Sequence, residues 1–254
     1  MSNVSISTNK LSIGYRVQRT EYCVQTDLDF ALMQGEMVCM LGPNGCGKST
    51  LLRTLAGLQP ALSGEYRIQS TEYRPEKSVA LVLTERLSME NTTVHDVVAM
   101  GRYPYTSFLG GLTEEDEKII AEALEEVGFE ITGSRGHEIT TTMFNAHSDG
   151  EKQRILIAKA LAQQTPIILL DEPTAHLDLP HRILVLRLLR KLAHEQNKTV
   201  LISTHELDLA LALSDRILLM SPNNGGVQLD SAENLKKADA FTSAFGMDIF
   251  NPLG

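Results

Sequence analysis

The sequence predicts an α/β fold in which helices cover both faces of a parallel sheet. Two observations lead to this prediction. Short runs of apolar and β-branched residues, typical of buried strands, recur along the chain, and segments with helical periodicity lie between them. Strands that alternate with helices pair in parallel, because each helix carries the chain back across a face of the sheet. The strand-like runs are 36–41 (EMVCML), 79–83 (VALVL), 167–170 (IILL), 199–203 (TVLIS) and 216–220 (RILLM).

Helical periodicity appears after most of these strands. The predicted helices cover 49–58, 182–194 and 206–213. A further helix is expected after Thr113, which together with Asp116 has the spacing of a helix N-cap. Apolar residues then recur at helical spacing through the acidic stretch that follows.

The chain of 254 residues is predicted to form a single domain, 1–254, with an inserted part. Residues 1–90 and 165–230 form the expected core, which begins with an antiparallel β part. The helix-rich stretch 91–164 interrupts the sheet as an inserted subdomain. Residues 231–254 look like a small helical tail to which the sequence assigns no role.

Composition excludes several classes of function. The formal net charge is −9, which argues against a nucleic-acid partner because such binding depends on Lys and Arg neutralising phosphates. Cys23, Cys39 and Cys46 are too few and too scattered for a disulfide framework or a CxxC metal pair. The start of the chain lacks the apolar core of a signal peptide, and no apolar run approaches the ~20 residues of a membrane span. We therefore expect a reducing, cytoplasmic compartment, with any membrane role exercised through a partner.

A glycine-rich loop after the first buried strand carries the strongest functional signal. The stretch GPNGCGKST fits the pattern G-x-x-x-x-G-K-[ST], in which successive backbone N–H groups point at phosphate oxygens near a helix N-terminus. Lys48 would reach the β- and γ-phosphates of ATP, and Ser49 would ligate Mg²⁺. Cys46 occupies a variable position as a small filler. The predicted nucleotide-binding residues of the loop are Gly42, Pro43, Asn44, Gly45, Cys46, Gly47, Lys48, Ser49 and Thr50.

Two acids follow the later strand IILL. Carboxylates at this place lie at the carboxyl edge of the sheet, where ligands of such folds bind. Asp171 would hold Mg²⁺ through its water shell, and Glu172 would polarise the attacking water. An apolar run followed by two acids is common, and it gains meaning here because it lies downstream of a phosphate loop.

The segment Ser148-Asp149-Gly150-Glu151 precedes a helix. A Ser and a Gly at a helix N-terminus make an anion cradle, although Ser and Asp are also favoured as simple N-caps. A single histidine, His205, follows the strand TVLIS. Such a histidine taken alone is more often structural.

The order of these motifs resembles the ABC (ATP-binding cassette) ATPases, which are P-loop NTPases with a RecA-like core, and the match covers essentially the whole chain. The resemblance implies that 147–151 corresponds to the signature LSGGQ, which caps the γ-phosphate bound by the other subunit of a head-to-tail homodimer. Ser148, Gly150 and Glu151 would thus complete the partner's site. The segment 175–178 matches the one that contacts the opposite subunit.

The same resemblance assigns roles to two residues outside these motifs. His205 matches the switch histidine that senses the γ-phosphate and joins Lys48 and Glu172 as a catalytic residue. Tyr15 matches the aromatic residue that stacks on adenine, although Tyr22 lies nearby and a single Tyr is usually part of the core.

Within the family, 101–117 and 169–182 resemble the ATPases of importers for ferric siderophores, haem and cobalamin. This likeness implies integral-membrane permease subunits as partners, an extracytoplasmic substrate-binding protein acting indirectly, and a peripheral location on the inner face of the plasma membrane. Two alternatives remain. One is a non-transport ABC ATPase that acts as a nucleotide-switched scaffold, for example in iron–sulfur cluster assembly. The other is a degenerate binder that hydrolyses ATP poorly.

Two positions depart from the family pattern. Thr84 and Glu85 stand where a Gln normally follows the strand VALVL. Either Glu85, as an oxygen ligand to the metal, or Thr84 takes the place of this Gln, with altered metal dependence or slower hydrolysis. His147 stands where the signature normally begins with Leu. Either this change is a tolerated loss of packing, or a titratable group makes ATP sandwiching depend on pH.

Overall fold

The structure is a computed structural model that describes residues 3–18, 20–68, 75–83, 89–106, 111–131, 140–222, 225–247 and 249–250. Its strands are β1 (Val4–Val17), β2 (Thr20–Leu28), β3 (Ala31–Met33), β4 (Met37–Leu41), β5 (Ser63–Ile68), β6 (Val79–Val82), β7 (Ile167–Asp171), β8 (Thr199–Ser203), β9 (Arg216–Met220) and β10 (Val227–Asp230). Its α-helices are α1 (Lys48–Leu55), α2 (Pro75–Ser78), α3 (Val94–Ala99), α4 (Glu114–Glu126), α5 (Asp149–Ala162), α6 (Leu179–Gln196), α7 (Leu207–Leu213), α8 (Ala232–Lys237) and α9 (Ala240–Phe245).

Contacts divide the chain into two units. The first contains Met1–Leu81, Pro166–Glu172 and Leu189–Gly254, and the second contains Val82–Thr165 and Pro173–Leu188. Helix α6 begins in the second unit and ends in the first. None of the helices that the structure describes is long and apolar enough to cross a membrane.

A six-stranded sheet forms the centre of the first unit, in the order β10-β9-β4-β8-β7-β6. Strands β9, β4, β8 and β7 pair in parallel, and β10 pairs antiparallel with β9 at one edge. Every residue of β4 and of β8 is buried, as expected for central strands that are covered on both faces. The predicted α/β fold with a parallel core sheet is confirmed.

A second, antiparallel sheet belongs to the same unit. In it β1 pairs with β2, β3 and β5. Apolar side chains of β1 such as Ile6 and Ile13 belong to the same buried cluster as Val38 and Met40 of β4. The predicted N-terminal antiparallel part is thereby confirmed, and it packs its apolar side chains into the core of the first unit.

The second unit is helical. Helices α3, α4 and α5 pack against one another, and each begins with a capping box, at Thr93, Thr113 and Ser148 respectively. In a capping box the side chain of the first residue and that of the residue three positions later each accept a backbone N–H, so two orphan donors are satisfied. The predicted N-cap pair Thr113 and Asp116 is confirmed.

A buried arginine ties this helical unit together. Arg102 lies in a 3₁₀-helix, Met100–Tyr105, and donates to Asp116 Oδ1 at 2.8 Å and to the carbonyl of Ala162 at 2.8 Å. It also donates to the side-chain oxygen of Gln164 at 2.9 Å. One guanidinium therefore links α4 to the end of α5.

Candidate functional site

The predicted phosphate loop leaves β4 at Leu41 and enters α1 at Lys48. Its backbone takes shapes that only glycine adopts easily, with φ of 155° at Gly42 and 105° at Gly47. A Cβ at Gly42 would lie 2.5 Å from the carbonyl oxygen of Met220, and a Cβ at Gly47 would lie 2.8 Å from Val24 Cγ1. The loop therefore lies tightly against neighbouring chain at both ends. At Gly45, in contrast, the space that a Cβ would enter is open.

Lys48 is the first residue of α1, and only 7% of it is exposed. Its ammonium donates to the carbonyl oxygens of Gly42 at 2.8 Å and of Pro43 at 3.1 Å. These bonds hold the charge inside the loop, beside the N-terminus of α1. A buried ammonium next to backbone N–H groups is suited to an anion as large as a phosphate.

Cys46 is 3% exposed, and a Cβ placed at Gly42 would meet its sulfur at 2.8 Å. Burial raises the pKa of its thiol, although the charge of Lys48 acts in the opposite direction. The residue thus fills space in the loop as a protonated thiol, in agreement with its expected role as a small filler.

The two acids after β7 have different surroundings. Asp171 Oδ1 accepts the hydroxyl of Ser203 at 2.5 Å, at the end of the neighbouring strand β8. The backbone N–H of Glu172 donates to the same hydroxyl oxygen at 2.9 Å. Glu172 itself has φ of 48°. This left-handed conformation is uncommon for residues other than glycine unless the surrounding structure holds it in place. The Ser203 hydroxyl thus joins the Asp171 side chain to the main chain of Glu172.

Glu172 and His205 meet at this edge of the sheet. His205 Nε2 lies 2.5 Å from Glu172 Oε1, and the two side chains are 46% and 35% exposed. Because β7 and β8 are neighbours and parallel, their carboxyl ends bring the predicted water-activating acid and the predicted γ-phosphate sensor together. The structure therefore groups the loop, Asp171, Glu172 and His205 in the first unit.

A magnesium ion fits the donors present here. The Ser49 hydroxyl lies in the first turn of α1, Asp171 ends β7, and α1 contacts β7. Oxygen donors are those that Mg²⁺ prefers, and it is commonly held by one or two protein groups together with phosphates and water. The described residues contain no group of three or more His, Cys, Asp or Glu that would hold a metal alone. Glu85 and Thr84, also considered for the metal, lie outside the described residues.

The predicted adenine-stacking residue is exposed. Tyr15 faces Tyr22 across the β1–β2 pair, and the two rings stack with centroids 5.3 Å apart and planes 16° from parallel. Half of Tyr15, 51%, remains accessible, and 46% of Tyr22. Tyr15 is therefore a surface residue and not part of the core, and its ring offers a flat apolar face.

The predicted signature segment lies in the second unit. Ser148 caps α5, and Glu151 Oε2 accepts both its backbone N–H at 3.0 Å and its hydroxyl at 2.7 Å. These bonds, first the Ser148 hydroxyl and then its N–H, lower the pKa of the Glu151 carboxyl. The N-cap interpretation of Ser148 is therefore correct as local structure. Gly150 is buried, and a Cβ there would lie 2.9 Å from the ring of His181.

His147 is held by neighbours on several sides. Its Nε2 lies 2.8 Å from the Thr142 hydroxyl, its Nδ1 lies 3.7 Å from Glu151 Oε2, and its ring meets Phe129 edge-on. Only 13% of the side chain is exposed. The imidazole is thus mostly buried, with one nitrogen at hydrogen-bond distance from a hydroxyl and the other near a carboxylate.

Two residues near these motifs were missed by sequence reasoning. Gln25 is fully buried and donates to the carbonyl of Cys46 in the phosphate loop at 3.0 Å. His181 contacts Asp178, which belongs to the segment expected to face a second subunit, as well as Gly150. For Gln25 the sequence did offer a signal, namely a polar residue that stands between neighbours with a preference for strands. The sequence offers no comparable signal for His181.

Comparison with known proteins agrees with this geometry. The ABC transporter family matches residues 25–175. The chain is 36% identical over 222 residues to the iron(3+)-hydroxamate import ATP-binding protein FhuC of Bacillus subtilis, covering 85% of this chain and 78% of that protein. A solved structure described as an inward-facing ABC transporter of metal-chelate type is 30% identical to this chain, with a TM-score of 0.82. The alignment covers 96% of this chain and 90% of the chain in that structure.

A third relative is a dimeric ATP-binding cassette in a post-hydrolysis state, bound to ADP and Pi. It is 25% identical to this chain, with a TM-score of 0.72, and the alignment covers 89% of this chain and 98% of the chain in that structure. The family match includes the phosphate loop, the 148–151 segment and the acids at the end of β7. The chain therefore belongs to the ABC transporter family, as one of its ATP-binding, ATP-hydrolysing subunits.

Proposed function

We propose that this chain drives the import of an iron chelate by hydrolysing ATP on the cytoplasmic side of a membrane permease. In this proposal Lys48 neutralises the β- and γ-phosphates, while Ser49 and Asp171 hold Mg²⁺. Glu172 takes a proton from the attacking water. Most of the rate enhancement then comes from positioning and electrostatic stabilisation.

The contact between Glu172 and His205 carries the catalytic part of the proposal. A carboxylate 2.5 Å from an imidazole is oriented before substrate arrives, which is what a general base requires. Two further bonds, from Glu172 N–H to the Ser203 hydroxyl and carbonyl at 2.9 and 3.1 Å, hold its backbone. His205 is thereby placed to report on the γ-phosphate and to steady the base.

A second copy of the chain completes each nucleotide site in this proposal. Asn44 and Gly45 of the phosphate loop are exposed, and the Glu172 side chain is 35% exposed. A nucleotide bound to one copy would therefore leave room for a surface of a second copy to cover it. The exposed Ser148 at the start of α5 supplies such a surface from the other copy, and the cassette bound to ADP and Pi is itself dimeric.

The relatives support the cargo class of this proposal. One relative is named as an iron(3+)-hydroxamate import protein, and a similar solved structure is described as a transporter of metal-chelate type. A siderophore complex is therefore the first candidate, with haem and cobalamin as the related ones. The ATPase would dock on permease subunits, and an extracytoplasmic binding protein would deliver the chelate.

Reconstitution tests this proposal. The chain is co-purified with its permease, placed in liposomes, and assayed for ATPase activity with binding proteins loaded with ferric hydroxamate, haem or cobalamin. We expect one loaded binding protein to stimulate hydrolysis several-fold above its empty form, and Glu172→Gln complexes to remain inactive. Purification with soluble iron–sulfur assembly proteins in place of a permease would support the scaffold alternative. Absence of turnover under every condition would support the degenerate-binder alternative.

A further inference from the structure

The amide of Gln25 joins two backbone carbonyls that are far apart in the sequence. Its Nε2 donates to the carbonyl oxygen of Cys46 at 3.0 Å and to that of Ser221 at 2.5 Å. Gln25 is 0% exposed, and its Oε1 is buried without a hydrogen-bond partner among the described residues. A buried acceptor without a hydrogen-bond partner lowers the stability of the folded state. The Gln25 amide is therefore present even though its oxygen destabilises the protein locally.

The orientation of this amide is fixed by its surroundings. Turning it over would place Oε1 against two carbonyl oxygens, where every interaction is repulsive, so Nε2 must face Cys46 and Ser221. The pairing of β1 with β2 is irregular at Ile13, the residue opposite Gln25. Such irregularities re-aim side chains, which accounts for a glutamine that points into the core.

The bond to Cys46 controls a neighbouring donor in the loop. In a trans peptide the C=O and the following N–H point in opposite directions. Holding the Cys46 carbonyl toward Gln25 therefore turns the N–H of Gly47 away from Gln25, so a phosphate that accepts this N–H would lie on the opposite side of the loop. Gly47 has φ of 105°, and glycine adopts positive and negative φ about equally readily, so an external restraint matters at this residue.

We propose that Gln25 is a positioning residue for nucleotide binding, which aims the Gly47 N–H and ties the phosphate loop to the main chain that follows β9. The inference rests on the nucleotide-binding role of this loop. Gly42 approaches the same main chain from the other end of the loop, since a Cβ there would meet the Met220 carbonyl at 2.5 Å. The loop is thus held at both ends against Met220 and Ser221.

The test is Gln25→Met, which keeps length and apolar bulk and removes both donors together with the unpartnered oxygen. We expect the affinity for ADP, measured by isothermal titration calorimetry, to fall about ten-fold, as for the loss of one aimed hydrogen bond to a charged oxygen. Thermal stability should change little, because the loss of the unpartnered Oε1 offsets part of the cost of leaving the carbonyls of Cys46 and Ser221 without this donor. A purely structural glutamine would lower stability without weakening the binding of ADP to the folded protein.

Gln59→Met is the matched control, since Gln59 also donates its amide to a backbone carbonyl, that of Gly14 on β1. It should leave ADP affinity near that of the wild type. Gln25→Leu provides a second apolar replacement. Unchanged ADP affinity in Gln25→Met, or a loss of affinity that merely follows a loss of stability in both Gln25 variants, would overturn the inference. If the wild type itself fails to bind ADP, the nucleotide-binding role of the loop fails instead.

Discussion

At the scale of single residues, the carboxylate of Glu172 is held from two directions. Its main chain is tied to Ser203 and its side chain to His205, at 2.5 Å. Both contacts come from the end of the neighbouring strand β8 and the residues that follow it. This arrangement makes the removal of its charge informative, because the surrounding bonds stay in place.

Glu172→Gln should bind ATP about as tightly as the wild type, yet turn it over at least 100-fold more slowly. The amide keeps the size of the acid and still meets His205, but it accepts no proton from water, and general-base catalysis contributes about 10²–10⁴-fold. Steady-state phosphate release together with ATP titration checks both halves of the prediction. Wild-type turnover in the variant would remove Glu172 from this role.

The three cysteines should react with alkylating agents in a defined order. Cys23 is exposed, whereas Cys39 and Cys46 are buried. Burial raises the pKa of the Cys39 thiol to about 12 and also raises that of Cys46. Because the thiolate is the reactive form, iodoacetamide at pH 7.5 should label Cys23 first.

Peptide mass spectrometry over a time course measures this order. Denaturation before labelling provides the control, since all three thiols should then react at similar rates. Labelling of Cys46 in the native protein as early as Cys23 would contradict the description of the loop as closely packed.

At the scale of elements, the Arg102–Asp116 pair holds the helical unit together. Their side chains are 6% and 7% exposed and 2.8 Å apart. Hydrogen bonds from the N–H and hydroxyl of Thr113, and then from Arg102, lower the pKa of Asp116 to about 2. Neutralising one partner of a buried ion pair leaves the other charge buried without a counter-charge, which lowers the free energy of unfolding by about 3–5 kcal/mol.

Asp116→Asn should therefore lower the free energy of unfolding by about 3–5 kcal/mol in urea titrations at pH 7. Because the pKa of Asp116 is lowered in the folded state, its contribution is present above about pH 4 and is lost as pH falls toward 2. The variant should thus show a shallower loss of stability over that range. Glu122→Ala, which removes an exposed pair with Lys118, is the control and should change stability by less than about 0.5 kcal/mol.

Sequence periodicity located the central elements well and the peripheral ones poorly. Strands β8 and β9 were predicted at their observed bounds, because a short, mostly apolar run of five residues with β-branched side chains favours a strand over a helix. The predicted helix 49–58 instead covers Lys48–Leu55, since the loop ends directly in the helix. β5 was not predicted at all, because its residues are mostly exposed and polar.

The site was predictable where a local motif carries it. Lys48 and Glu172 stand in motifs whose spacing is readable from the chain, whereas the support given by Ser203 and Gln25 depends on which strands become neighbours. Such pairings join residues 31 and 21 positions apart in the sequence. No local pattern encodes them.

At the scale of the whole molecule, the proposed dimer predicts complementation between defective copies. Lys48→Ala should disable the phosphate loop, and Ser148→Arg should obstruct the surface that covers the partner's nucleotide. Each variant alone should be nearly inactive. In a mixed dimer, the loop of the Ser148→Arg copy faces the intact 148–151 segment of the Lys48→Ala copy, so one complete site is restored.

ATPase assays on a titrated mixture of the two variants test this arrangement. Activity should rise to a maximum near equal proportions, well above that of either variant alone. Mixing Lys48→Ala with Glu172→Gln is the control, because the only intact loop in that mixture lacks its base. A mixture no more active than the mean of its components would argue against shared sites.

The bond from Gln25 to Ser221 also bears on how the protein is made. It joins residues 196 positions apart, so a ribosome must synthesise most of the chain before this restraint on the phosphate loop can form. Contacts of such separation form late and slow the folding of a domain. An emerging chain therefore holds the complete GPNGCGKST motif long before the motif has its native support.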